Sequence, residues 1–282
     1  MKNRFMLIIG LITLCFNVSA KCQYSVPDSI KVVTLLHQGK RLNAGTNLMI
    51  YYARQLKGIP YVARTLEEND KETLIINLHQ LDCTTYVENV LALTLCAKHA
   101  QFTFEDFCNW LQKIRYKNGE IAYTNRLHYF SEWIADNTAM GFVEETQSPT
   151  PPFTHIQTLR INYMSTHPKK YSMLVRHPEW IKEITKMENQ LNGKKYHYIP
   201  KSSISNTSVY RKTIHNGDII AITTNKKGLD TSHIGIAIWH KDGLHMLNAS
   251  RIRHQVIEEP MTLKTYMAKQ PSQTGIRIIR VK

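Results

Sequence analysis

A change in hydrophobic period near residue 196 restricts the fold of this chain more than any other feature. Before it the spacing is helical. Ile30, Val33 and Leu36, then Leu48, Tyr52 and Leu56, predict two helical pieces between Ser29 and Leu56. Val87, Val90, Leu91 and Leu95 share one face of a helix over Asp82 to Lys98, and further helices are predicted at Phe104–Ile114 and Leu127–Ala135. Between them, Tyr61-Val62 reads as extended and Leu74-Ile75-Ile76 as a short strand. From Tyr196 the period becomes two. Strands are predicted at Tyr196–Ile199, Asp218–Thr223, His233–Trp239, Leu244–Asn248, His254–Ile257 and Gly275–Val281, with Lys241-Asp242-Gly243 as a hairpin turn and Pro260 opening a helix at Met261–Met267. Helices followed by adjacent strands predict an α+β domain around one core, with an antiparallel sheet. Ser148-Pro149-Thr150-Pro151-Pro152 breaks the pattern. Beyond it, Phe153–Gln190, interrupted at His167-Pro168 and His177-Pro178, reads as an inserted helical layer, the whole insertion covering about residues 120–195.

Residues 1–20 stand apart from the rest. Lys2 and Arg4 precede an apolar run from Phe5 to Phe16 that ends in Val18-Ser19-Ala20, the pattern of a secretory signal peptide. The run is about twelve residues, short of the roughly 18–20 that span a bilayer. Lys21 precedes Cys22 and Leu14 precedes Cys15, where a lipoprotein signal places a small residue, so lipidation is not expected. The remaining 21–282 is expected to be a single domain, exported and most simply periplasmic, with no integral membrane span.

The chain has 36 Lys+Arg against 22 Asp+Glu, a net charge of +14; cleavage after Ala20 removes two cations and leaves 34 − 22 = +12. The basic residues are scattered in ones and twos, as at Lys169-Lys170 and Lys226-Lys227, without a nucleic-acid-binding motif, so nucleic acid is not expected as a partner. Anionic cell-wall polymer or a lipid surface suits an exported basic protein, and so does a surface that is basic only for solubility.

Chemistry gathers at two places. Asp82 as N-cap, or Thr85 with Glu88 as a capping box, each put Cys83 at the start of a helix. Free N–H groups there favour a thiolate and hold an oxyanion. The second place is Asp230-Thr231-Ser232-His233-Ile234-Gly235, where a His opens an apolar strand, with Asn248 on the neighbouring strand. Cys83, His233 and Asn248 supply a nucleophile, its base and a group to orient the base. His245 competes with Asn248 for the third role, but strand alternation puts the two on opposite faces.

Four segments carry a family resemblance: Gly58–Ala63, Leu81–Glu88, Asn125–Trp133, and Ser232–Ala237 followed by Asn248-Ala249-Ser250. They resemble the DUF1460 family, the N-acetylmuramoyl-L-alanine amidase-like branch of the NlpC/P60 cell-wall hydrolases, over most of the chain from about residue 45. The resemblance implies a papain-like α+β fold in which Cys83, on a helix, faces His233 and Asn248 on the sheet. It implies cysteine-dependent hydrolysis of peptidoglycan or muropeptide at the amide between N-acetylmuramic acid and L-Ala, without a cofactor. Many NlpC/P60 members instead cut after D-γ-Glu in the stem peptide. Arg126 beside Tyr129 is expected to clamp a substrate carboxylate, or to serve as a structural residue at a helix start. Asp82, Thr84 and Ser232 flank the reacting groups and are expected to meet substrate, with capping the other role of Asp82.

Two other classes stay open: a silent peptidoglycan-binding module, and another exported thiol enzyme such as a protease. No metal is expected, because the chain has neither His-Glu-x-x-His nor Cys-x-x-Cys spacing. With Cys83 free, Cys22, Cys96 and Cys108 allow at most one bridge, whose pairing the sequence leaves open, as it does the oligomeric state.

Overall fold

A computed structural model describes Cys22–Lys282; the signal peptide expected at 1–20 lies outside the described residues. The first half supplies five main helices: α1 (Val26–Gly39), α2 (Leu48–Gln55), α3 (Cys83–Lys98), α4 (Phe104–Arg115) and α5 (Phe130–Ala139). Strand β1 (Cys22–Gln23) pairs in parallel with β2 (Leu74–Ile75). The rest of the chain builds β3 (Val143–Glu145), β4 (His155–Thr158), β5 (Lys195–Pro200), β6 (Ile219–Thr224), β7 (Thr231–Trp239), β8 (Leu244–Ser250), β9 (Gln255–Glu258) and β10 (Gln273–Val281). The sheet runs β4-β5-β10-β6-β7-β8-β9, with β3 also on β10, and every pairing in it is antiparallel. The mixed architecture and antiparallel sheet are those expected.

Helix α3 is the axis of the helical layer. Asp82 caps it by accepting from Thr85 N at 2.8 Å, while Thr85 Oγ1 accepts from Asp82 N at 2.9 Å. Neither Gly nor Pro interrupts its sixteen residues, and those from Thr85 to Cys96 are all buried. The capping box thus closes between Asp82 and Thr85, not between Thr85 and Glu88. The Glu88 carboxylate instead lies in the interior against Arg115 Nε, 2.7 Å away.

The sheet is covered on both faces, and this divides the single core expected from the sequence. Ile219, Ala221, Ile236 and Leu247 pack against α1–α5. Ile220, Ile222, Ala237 and Met246 pack on the other side with Tyr210, Leu263 and Tyr266. A third cluster, with Ile161, Met164, Leu174 and Ile184, underlies the insertion. Burial on both faces explains why β6 opens on a continuous apolar run, Ile219 to Ile222.

The insertion departs from expectation in two ways. It opens with β4 rather than a helix, His155 to Thr158 pairing with Tyr198 to Lys195 at the sheet edge. Four largely exposed residues on an edge strand carry almost no period to read. Its helices are α6 (Tyr163–Thr166), α7 (Ser172–Arg176) and α8 (Ile181–Leu191), each short except the last. The helix expected from Leu127 starts at Phe130, because Arg126 and Leu127 are extended: Arg126 bridges to Tyr116, and Leu127 N donates to Arg115 O at 3.0 Å. Among the described residues, no helix is long and apolar enough to cross a membrane.

Candidate active site

The α3 N-terminus meets the sheet at the start of β7. In the first turn of α3, Thr85 N is taken by the Asp82 side chain and Tyr86 N by the Asp82 carbonyl. The N–H groups of Cys83 and Thr84 remain at the helix opening. Cys83 and Thr84 line a cavity of about 210 Å³ together with His128, Tyr129, Tyr171, Asp230, Ser232 and His233.

Strand β7 reaches this cavity through a bulge. Ile222 pairs with His233 but Thr223 with Thr231, so Ser232 is the extra residue. A bulge bends the strand and re-aims the side chains beside it. The Ser232 hydroxyl is buried and has no hydrogen-bond partner among the described residues. In the β7–β8 hairpin, Ile236 pairs with Leu247; one step further sets Gly235 opposite Asn248 and His233 on the diagonal, within reach of a long side chain. The close approach needs a glycine: a Cβ on residue 235 would lie 2.5 Å from Met246 Cγ and 2.8 Å from the Leu247 carbonyl oxygen.

His233 Nε2 lies 2.9 Å from Asn248 Oδ1. Asn248 is fully buried. Since Oδ1 only accepts, Nε2 carries the proton and Nδ1 keeps its lone pair. His245 points the other way, as alternation requires, with Nδ1 on the Glu259 carbonyl at 2.9 Å and Nε2 on Asp242 at 3.0 Å. His233 and Asn248 share the strand face of Ala237 and Met246, and the His233 ring lies 6.4 Å from that of Tyr266. The cysteine therefore comes from the layer on one face of the sheet and the His–Asn pair from the other, meeting at the strand end.

Burial sets the resting charges. It pushes the Cys83 thiol up to about 12, and the neighbouring Asp82 carboxylate adds to the rise; the Ile234 N–H, the Thr84 hydroxyl and Cys83's own N–H pull the other way. The thiolate expected from the helix start is thus overruled by desolvation. Burial also lowers His233, against the Asn248 hydrogen bond and the Asp82 charge, which favour its protonated form. At rest both groups are neutral, and Asp82 is placed to favour an imidazolium when one forms.

The other expected contacts divide. Thr84 lines both this cavity and a second of about 220 Å³ on the far side of the Thr84–Leu127–His128–Tyr171 wall. Asp82 opens on the second cavity but is occupied as the cap. Tyr129 is among the residues that line the first, and its hydroxyl donates to Glu188 Oε1 at 2.6 Å. Arg126 is not a free carboxylate clamp: it is 5% exposed, paired with Glu67, 3.4 Å from Glu72, and its Nη1 donates to the Leu66 carbonyl at 3.0 Å. These partners occupy its donors, and it lies outside the helix, which starts at Phe130.

Sequence reasoning assigned no role to Tyr61, His128 or Tyr171. Burial pushes the Tyr61 phenol up to about 12, and the nearby Asp82 carboxylate adds to the rise. His128 donates to the Tyr123 carbonyl at 2.8 Å, and burial with the adjacent Arg126 charge pushes it down to about 3. Tyr61 and His128 fall within segments that carry the family resemblance, so a signal existed; Tyr171 comes from the insertion and had none. Among the described residues, no group of three or more His, Cys, Asp or Glu is placed to hold a metal ion.

Residues 51–276 match the N-acetylmuramoyl-L-alanine amidase-like (AmiA-like) family, and the chain belongs to it. It is similar to the crystal structure of an N-acetylmuramoyl-L-alanine amidase from Bacteroides uniformis, with 38% identity and a TM-score of 0.77 over 87% of this chain and 99% of that one. It is also similar to a Bacteroides fragilis protein named as a proposed xylanase, with 42% identity and a TM-score of 0.76 over 82% of this chain and 99% of that one. A Legionella pneumophila protein of the DUF1460 family shares the fold at 22% identity, with a TM-score of 0.71 over 90% and 94% of the two chains. No curated protein matches. An amidase-like hydrolase acting on peptidoglycan-related material is the activity these relationships support.

Proposed function

We propose that the protein is an exported cysteine amidase that cleaves the bond between the lactyl carbonyl of N-acetylmuramic acid and the amine of L-Ala, in a papain-like NlpC/P60 arrangement. The observation that carries this reading is the His233–Asn248 hydrogen bond at 2.9 Å, with His233 lining the same cavity as Cys83. The order Cys, His Nδ1, His Nε2–H, Asn is that of Cys-His-Asn hydrolases.

With thiol and imidazole both neutral at rest, proton transfer accompanies attack. His233 Nδ1 takes the Cys83 proton as Sγ bonds to the lactyl carbonyl carbon. The oxyanion that forms is held by the N–H groups at the α3 opening. Imidazolium, favoured by Asn248 and Asp82, then protonates the amine of L-Ala, the C–N bond breaks, and the stem peptide leaves. A thioester remains on Cys83. His233 takes a proton from water, whose oxygen attacks the thioester carbonyl and frees the muramic acid carboxylate and the Cys83 thiol. Ser232, with its unpartnered hydroxyl beside His233, is assigned to substrate.

A glycosidase would need two carboxyl groups about 5–9.5 Å apart. Among the residues lining this cavity the carboxylate is Asp230, whose oxygens accept from Ser131 N at 2.6 Å and Thr231 N at 2.7 Å. The pattern favours acyl transfer. Export through residues 1–20 into the periplasm would bring the enzyme to peptidoglycan.

Mass spectrometry of defined muropeptides incubated with the chain from Lys21 tests the proposal, with the Cys83→Ala variant alongside under reducing conditions. Release of the intact stem peptide and the free sugar, lost in the variant, is expected. Cleavage inside the stem would replace it with an endopeptidase, and binding without cleavage by either protein would reduce it to a binding module.

A further inference from the structure

Two cysteines meet outside the residues that line the Cys83 cavity. Cys22 opens β1, and its Sγ lies 3.8 Å from that of Cys108, in the second turn of α4. The contact joins residues 86 positions apart. It lies in a built corner: Gln23 O accepts from Ile76 N at 2.8 Å, and the Tyr24 ring lies 4.7 Å from that of Phe104, the first residue of α4. Cys108 is buried, whereas Cys22 is half-buried and reachable from solvent.

We infer that Cys22 and Cys108 are oxidised to a disulfide in the exported protein, fastening the start of the mature chain to α4. The inference rests on the export reading for its compartment and is independent of the amidase reading. The oxidant is a disulfide, small or protein-borne. The Cys22 thiolate attacks one of its sulfurs, forming a mixed disulfide and releasing one thiolate. Cys108 then loses its proton and attacks Cys22 Sγ, releasing the second. Two protein thiols give up two electrons and two protons, and one external disulfide becomes two thiols. The sulfurs close from 3.8 Å to about 2.05 Å, a movement that the two-residue β1 can absorb.

The other cysteines explain the pairing. Cys96 is fully buried, out of reach of an external disulfide, whereas Cys22 and Cys108 are already in sulfur–sulfur contact. The bridge would leave Cys83, half-buried at the cavity, as the free thiol other than fully buried Cys96 among the described residues, and would keep Cys22 from pairing with it.

The test is peptide mapping without reduction, on the chain from Lys21 equilibrated with oxidised glutathione and then alkylated. One cross-linked peptide pair holding Cys22 and Cys108, two hydrogens lighter than the free thiols, is expected, with Cys83 and Cys96 alkylated. The oxidised protein is expected to melt roughly 5–10 °C above the reduced one, since the closed loop is long. In Cys22→Ser that difference vanishes while muropeptide turnover is unchanged. A bridge through Cys83 or Cys96, or four alkylated thiols after oxidation, would overturn the inference. The bridge forming in a protein that cleaves no muropeptide would leave it standing and remove the amidase reading instead.

Discussion

Two cavities lie on either side of one wall and carry opposite kinds of polar chemistry. The one that holds Cys83 and His233 contains groups with unused bonding capacity: a neutral thiol, an imidazole nitrogen with a free lone pair, and the unpartnered Ser232 hydroxyl. The one behind the wall is lined by Glu67, Glu88, Arg115 and Arg126. Arg126 pairs with Glu67 and lies near Glu72, and Arg115 lies 2.7 Å from Glu88. Charge number is no guide to function here. Those four ions are held in pairs, while Arg64 and Lys170 also line the cavity, and buried pairs hold structure because breaking one strands a charge in the interior. The cavity with fewer ions keeps groups ready for a substrate.

Substitutions on either side of the wall should therefore fail differently. Cys83→Ala should reduce amidase turnover by about 10⁴-fold or more, with the melting temperature close to wild type; retained turnover in muropeptide assays would remove the nucleophile from the proposal. Arg126→Ala should do the reverse, destabilising the fold by about 3–5 kcal/mol in denaturant titration because Glu67 and Glu72 lose their partner. A stable Arg126→Ala protein whose KM alone rises would restore the carboxylate clamp and erase the contrast. Asn248→Ala should lower kcat by about 10²-fold by freeing the His233 ring to adopt the wrong tautomer or orientation; retained kcat would show that another group orients His233.

The pH profile gives a smaller test. Burial lowers His233, so its neutral, active form persists below the usual imidazole value, and the acid limb of kcat/KM should fall below pH 6.5. An acid limb at or above 6.5 would argue against a desolvated base. Stability carries a related sign. His128 is pushed down to about 3 in the folded protein, so between pH 6.5 and about 3 the unfolded chain binds a proton that the folded one does not. Its contribution is present above 6.5 and declines as the pH falls through that window. His128→Gln should flatten the slope of unfolding free energy against pH there. The smallest effect is assigned to Ser232→Ala, roughly a tenfold or smaller rise in KM without loss of stability, since its hydroxyl has no hydrogen-bond partner among the described residues.

The elements that were legible in the sequence were the long ones with a dense local signal. Helix α3 announced itself through Asp82, Thr85 and four apolar positions, and β7 through Ile234, Ile236 and Ile238 at alternate positions after His233. Strand β4 did not, because its four residues are mostly exposed and acquire their pairing only from β5. The same division applies to the site. Cys83 at a helix start and His233 at a strand start follow from capping and period. The position of Arg126 was legible but its role was not, since its partner Glu67 lies 59 residues away.

From residues within a few positions of one another, the sequence determined most of the order of helices and strands, the helix start that bears Cys83, and the opposite facing of His245 and Asn248. These are matters of backbone geometry and period, settled within a turn or a strand. Only the tertiary structure decided which charges are neutralised, that burial outweighs the helix start at Cys83, that His233 lies 2.9 Å from Asn248, and that Cys22 touches Cys108. Desolvation and hydrogen-bond partnership depend on which distant segments exclude water from a group, and no local pattern encodes that.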